Sequence, residues 1–336
     1  MVNGQMQQVN GQTQKVNDQV QKVLDAVKER TINRVFFVAC GGSSSLMYSS
    51  KYMMDREASS ITTDLYSSNE FIHRNPKTLG EHSLVILCSL RGNTPETVEA
   101  ARFARSKGAI TAAMTNLEDS PLAQAAEYVI KYGWGPDTPV EESNYSILYQ
   151  LVLGVLSVKE GNTKFESLMR SLPHLDSVYN KAKQQFAAAS KQFAEKFKDE
   201  KVIYTMASGS NYGIAYMFAI CFLMEMQWKN SHAIHAGEFF HGPFEILDKD
   251  VPFILFMGLD ETRPLEERAL KFLKQYGEKL LIIDAQDYDF AGIEADIKGY
   301  IAPLVLNQVI RLFAVDLAEQ TKHPLETRRY MWKVAY

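Results

Sequence analysis

The chain has 336 residues, of which 46% are apolar and 23% charged, and its net charge is −4. That composition belongs to a globular protein with enough chain for two α/β units or one large one. Scattered Lys and Arg argue against a nucleic-acid surface, no unbroken apolar run reaches the roughly eighteen residues a bilayer requires, and the polar start has no signal-peptide core.

A cytoplasmic protein is therefore expected, with no nucleic-acid or membrane partner. The three cysteines, Cys40, Cys88 and Cys221, lie in apolar patterns and read as reduced thiols. Seven histidines form no metal-ligand spacing, so neither a metal nor a cofactor is expected.

The first element, residues 1–30, opens with a seven-residue repeat that places Val2, Val9, Val16 and Val23 in register. Met6, Thr13, Val20 and Val27 follow four positions later, which gives a helix one apolar stripe. Gly4 and Gly11 weaken the first two copies by about 1 kcal/mol each. The repeat thus predicts a helix from about residue 17 to 29 behind a frayed lead-in, and glycines argue against a coiled-coil arm.

Strands and helices alternate from Arg34 onward. Strands are expected at 35–39, 63–66, 84–88, 110–114 and 128–130, with helical periodicity between them, as at 96–107. Such alternation makes a parallel sheet covered on both faces. A helical stretch at 142–159 ends in the polar break Glu160-Gly161-Asn162, and an Ala-, Gln- and Lys-rich helix at 175–198 leads onward. The run Val202 to Ser210 then repeats the strand and Gly-Ser turn of Val35 to Ser43 at an offset of 167 residues. Further strands at 233–236, 253–257 and 280–283, with helices at 264–276 and 304–319, complete a second unit. The expected fold is α/β: two copies of one three-layer unit, residues 31–165 and 166–325, each with a parallel five-stranded sheet, and a tail at 326–336.

Two strand–turn–helix segments carry anion-binding chemistry. Gly41-Gly42-Ser43-Ser44-Ser45 follows the first strand, and Ser89-Leu90-Arg91-Gly92-Asn93-Thr94-Pro95 follows the third. Each presents hydroxyls and free amides at the positive end of a helix, and Pro95 suits the first helical position. In the second unit Glu225 ends an apolar helix at 214–228, where a carboxylate must be desolvated or partnered. His241 follows sixteen residues later between Gly237-Glu238 and Gly242-Pro243, at an interruption where its ring can face a cleft. A carboxylate and an imidazole near one cleft suit proton transfers about a sugar carbonyl.

Together these residues resemble the sugar isomerase (SIS) family, which includes the isomerase half of glucosamine-6-phosphate synthase. Ser43, Ser89, Gly92, Thr94, Glu225 and His241 match its pattern position by position. FVACGGSS, GNTPET, GEFFHGPFEI, LDETRPLEERAL and HPLETRRYMWKVAY look closer still to its fructosamine-6-phosphate deglycase branch, over residues 16 to the end.

The resemblance implies that Gly42, Ser43, Ser89, Gly92, Asn93 and Thr94 hold a sugar phosphate. It also implies that Glu225 is the catalytic base, that His241 opens the ring, and that Lys333 closes over the sugar with the tail. Arg91 stands where the family usually has Ser, and either pairs with the phosphate or points to solvent. Ser44, Ser208 and Glu238 are further candidate substrate contacts, though Glu238 equally orients His241 or caps a helix.

Phe222 replaces a lysine of the synthase, and no cysteine nucleophile opens the chain. The implied activity is therefore release of an existing amine from a fructosamine 6-phosphate, without a cofactor, to give glucose 6-phosphate. An aldose–ketose isomerase of sugar phosphates is the alternative, and a non-catalytic phosphosugar-binding regulator the third reading. Related enzymes also imply a homodimer or dimer of dimers with sites shared between subunits.

Overall fold

The computed structural model describes residues 15–135 and 137–335, together with the backbone of Gln8–Val9 and Gln12–Thr13. Those two short stretches pair antiparallel; the repeat positions Val2 and Met6 lie outside the described residues, as does Tyr336. The first helix is Asp18–Glu29. Asn17 caps it by accepting the amides of Gln19 and Val20, and Val20, Val23, Leu24 and Val27 form its buried stripe.

The chain divides into two compact units, residues 1–176 with 292–297, and 177–291 with 298–336. In the first unit the strands are β1 (Arg34–Ala39), β2 (Thr62–Tyr66), β3 (Ser83–Cys88), β4 (Ile110–Thr115) and β5 (Tyr128–Lys131). All are parallel, in the order β2-β1-β3-β4-β5. The central strands are buried along almost their whole length, as strands with both faces covered must be. Phe36, Val38, Val85 and Leu87 point to one face, where Phe71, Val98, Ala101 and Leu122 pack on them. The alternate residues, Val35, Phe37, Leu84 and Ile86, are fully buried on the other.

The second unit contains β6 (Val202–Ala207), β7 (Asn230–His235), β8 (Phe253–Met257) and β9 (Leu280–Asp284). Its parallel order, β9-β8-β6-β7, is that of the first four strands of the other unit. The expectation of five strands in each sheet is therefore wrong for the second, which has four. After β9 the chain passes into short turns at Ala285–Asp287 and Ala295–Ile297. The intervening QDYDFAG is too polar and turn-prone for a buried strand: Asp284 accepts the amide of Gln286, and Asp289 that of Ala291.

The stretch Ala295–Thr321 is, by length and composition, apolar enough to cross a membrane, which a search for unbroken apolar runs misses. Within the structure 72% of its most apolar window is buried, and its α-helical part, Lys298–Thr321, is a core helix of the second unit.

Candidate active site

In the first unit both Gly-Ser segments emerge at the carboxyl end of the sheet, where adjacent strands β1 and β3 stop. Helix Gly41–Glu57 starts after Cys40 and helix Pro95–Ser106 after Thr94, and neither cap residue spends its side chain on the helix amides. The first-turn amides therefore keep the positive end of each helix open to an anion. Ser43 bonds the thiol of Cys88, which brings the two turns side by side, and burial pushes that thiol up to about 11. Ser89 Oγ lies 2.9 Å from Thr94 Oγ1, so the two hydroxyls converge.

Gly92 takes φ +61°, and a side chain there would come within 2.0 Å of Ser120 Oγ. No other residue fits that turn. Gly42, Arg91 and Asn93 are exposed on the rim, whereas Ser44 is buried beneath it. The structure thus gathers Ser43, Ser89, Gly92 and Thr94 into one cradle and leaves Arg91 at its edge.

The corresponding turn of the second unit is filled by the chain itself. Ser208 donates its amide and its hydroxyl to Glu266 Oε1, and Gly258 N–H donates to Oε2. Ser210 gives Asp260 the same pair of donors, and Thr262 adds two more. Two carboxylates occupy the place an anion would take, so the hydroxyl of Ser208 is already committed. Gly209, at φ +50°, allows this approach, since a side chain there would meet Asp260 Oδ1 at 2.5 Å. Burial, opposed by those donors, raises Glu266 to about 7. Sequence inspection missed Asp260 and Glu266, although laying GLDETRP under SLRGNTP would have put Asp260 opposite Arg91.

Glu225 lies in the second unit near the end of a helix that begins as α at Tyr212–Met217 and widens to π over Phe218–Met226. Such π segments recur at functional sites. Met224, Glu225 and Met226 are at least partly exposed at the end of a rod whose other residues are buried except for a half-buried stripe of Tyr212, Tyr216 and Ile220. Arg328 Nη2 forms an ion pair with Glu225 Oε1 at 2.7 Å, with the Arg328 side chain 8% exposed and that of Glu225 24%. Cys221, one turn back, is pushed up to about 12, first by burial and then by the charge of Glu225.

The tail holds Arg328 in place. Its Nη1 donates to the carbonyls of Leu325 and Thr327, and Lys333 Nζ donates to the Arg328 carbonyl at 2.6 Å. Gln227 ties the helix end to the same segment by donating to the His323 carbonyl and accepting from Thr321. Arg329 lies over the Trp228 ring at 4.2 Å.

His241 and Glu238 sit in the turn after β7, both exposed. Phe239 is fully buried beside them, and Phe240 and Phe244 pack on Phe272 of helix Arg263–Tyr276. Aromatic burial thus fixes the turn and leaves the imidazole outside. His235, which sequence reading passed over, is half-buried, accepts the Gly237 amide at Nδ1, and is held below the usual histidine range by burial.

The SIS domain pattern matches residues 30–159 and 196–304. The fructosamine deglycase FrlB of Bacillus subtilis (strain 168) is 62% identical over 310 residues, covering 92% of this chain and 94% of that protein. A fructoselysine 6-phosphate deglycase of Escherichia coli (strain K12) is 30% identical over 302 residues, 90% of this chain and 86% of its own. A crystal structure from Bacillus subtilis, also 62% identical, matches with a TM-score of 0.94 over 96% of this chain and 98% of that one.

Proposed function

The chain belongs to the SIS domain family, and on that premise we propose that it is a fructosamine-6-phosphate deglycase. The observation that carries this reading is the 62% identity to a fructosamine deglycase along nearly the full length of both chains. The first-unit cradle takes the 6-phosphate, with Ser43, Ser89 and Thr94 donating hydroxyl hydrogen bonds and the amides at Gly92 and Asn93 adding to them.

His241 moves a proton between the ring oxygen and the anomeric hydroxyl, and the ring opens to the ketone. Glu225 removes a proton from C1, the C1–C2 bond becomes double, and the C2 oxygen takes up a proton, giving an enaminol. Reprotonation at C2 draws the nitrogen lone pair into a C1=N double bond, and loss of the N–H proton leaves an imine of glucose 6-phosphate. Water adds to C1 and the amine departs, so one water is consumed and the C1–N bond is broken. Each positioned acid or base contributes about 10²–10⁴ in rate. The tail carrying Lys333 closes over the sugar, sites are shared between the subunits of a homodimer, and the protein works in the cytoplasm.

Incubating the protein with fructoselysine 6-phosphate, an α-glycated amino acid 6-phosphate and fructose 6-phosphate tests the reading. Equimolar glucose 6-phosphate and free amine are expected from at least one glycated substrate. Conversion of fructose 6-phosphate alone, with every glycated substrate intact, would make the protein an aldose–ketose isomerase instead.

A further inference from the structure

We propose that Arg328 is the positioning residue of the base: it clamps one carboxylate oxygen of Glu225 and leaves the other to take the proton. The inference rests on the reading of Glu225 as the base. Arg328 Nη2 stands 2.7 Å from Oε1, the nearest approach of the ion pair, and among the described residues Oε2 has no hydrogen-bond partner. A carboxylate held at one oxygen can no longer spin freely about its terminal bond, so Oε2 keeps one direction toward the substrate.

The guanidinium is itself fixed from behind. Leu325 and Thr327 accept from Nη1 at 2.6 and 2.9 Å, and the turn that presents them is closed by the Thr327 amide on the Pro324 carbonyl. Trp332 lies 5.5 Å from the guanidinium carbon, and Lys333 fastens the Arg328 carbonyl. A surface ion pair would contribute little, but this arginine is 8% exposed and its Nη1 is tied to two backbone carbonyls, so its geometry is pre-organised. Nothing in the local pattern around Glu225 requires an arginine. The pair therefore makes the tail part of the machinery that aims the base.

The test compares Arg328→Met, Arg328→Lys and Glu225→Gln with the wild type, using glycated substrate carrying hydrogen or deuterium at C1. A misaimed base should cost Arg328→Met on the order of 100-fold in kcat with KM within about threefold. The isotope effect should rise as proton abstraction becomes rate-limiting, and Arg328→Lys should recover part of the loss by restoring a cation.

Arg328→Met at wild-type kcat, with Glu225→Gln inactive, would overturn the positioning role and leave the base assignment standing. Glu225→Gln at wild-type turnover would overturn both. If Arg328→Met fails to fold, Arg328→Lys decides the matter: it shortens the reach and loses the planar guanidinium held on two carbonyls, so kcat should fall with an enlarged isotope effect. A loss of kcat in Arg328→Lys with an unchanged isotope effect would mean that the arginine only stabilises the tail.

Discussion

A carboxyl removed from water keeps its proton to higher pH, and Glu266 is the case in this chain. Its side chain is fully buried, and its pKa rises from 4.5 to about 7 despite three hydrogen bonds. Between those values the folded protein binds more protons here than the unfolded chain does. Stability from this group therefore falls as pH rises from about 4.5 to about 7, and levels off above. The full effect is on the order of 3 kcal/mol. Glu266→Gln carries a constant cost from presenting a donor to the Gly258 amide, but no titration. The stability of wild type relative to Glu266→Gln should thus decline between pH 5 and 8 in matched thermal or urea melts, and a constant difference would refute the assignment.

At this same scale the placements of Glu225 at a helix end and His241 in an exposed turn were legible in the sequence, because each has a local signature, an apolar run and flanking glycines. Arg328 was not, since its ion pair joins residues 103 positions apart and no spacing rule reports it.

At the scale of elements, the strand-to-helix turns are the proposed carriers of the binding chemistry. Thr94 precedes helix Pro95–Ser106 without capping it through its side chain. Removing that hydroxyl should therefore cost the helix little and the ligand more. Ser89→Ala and Thr94→Ala should each raise KM for the phosphorylated substrate about tenfold or more, as expected for hydrogen bonds of about 1.5–3 kcal/mol to a charged group. Their kcat should stay within about threefold, and steady-state kinetics on both variants checks the split. A fall in kcat with unchanged KM would move these hydroxyls from phosphate binding to the chemical step.

The three central strands of the first sheet were legible because buried apolar runs between Gly-, Ser- and Asn-rich turns have few other solutions, and the half-buried edge strands followed from the alternation with helices. The missing fifth strand of the second sheet came from extending an internal repeat beyond the residues that showed it. The π winding of Phe218–Met226 was equally invisible, since a helix that is apolar almost all round has no face to report its period.

For the whole molecule, the offset of 167 residues between the two Gly-Ser turns foretold the shared strand order. It did not foretell that only one turn stays open, because Asp260 and Glu266 come from the next strand-end loop and helix of the unit. The proposed dimer with shared sites has its own test. Mixing Glu225→Gln with His241→Ala subunits should restore about a quarter of wild-type activity, since half of randomly exchanged dimers are hybrids and each hybrid has one intact site. No recovery, with exchange confirmed by native mass spectrometry, would mean that each chain supplies its own Glu–His pair.

The central claim, proton transfer from C1 to C2 before the C–N bond breaks, is tested most directly by following one glycated substrate through the reaction in D₂O by NMR. The enaminol route predicts that the first sugar product is glucose 6-phosphate, with solvent deuterium at C2 in at least part of the molecules and equimolar free amine. Fructose 6-phosphate as the first sugar product would mean direct cleavage of the C1–N bond, and would contradict the account.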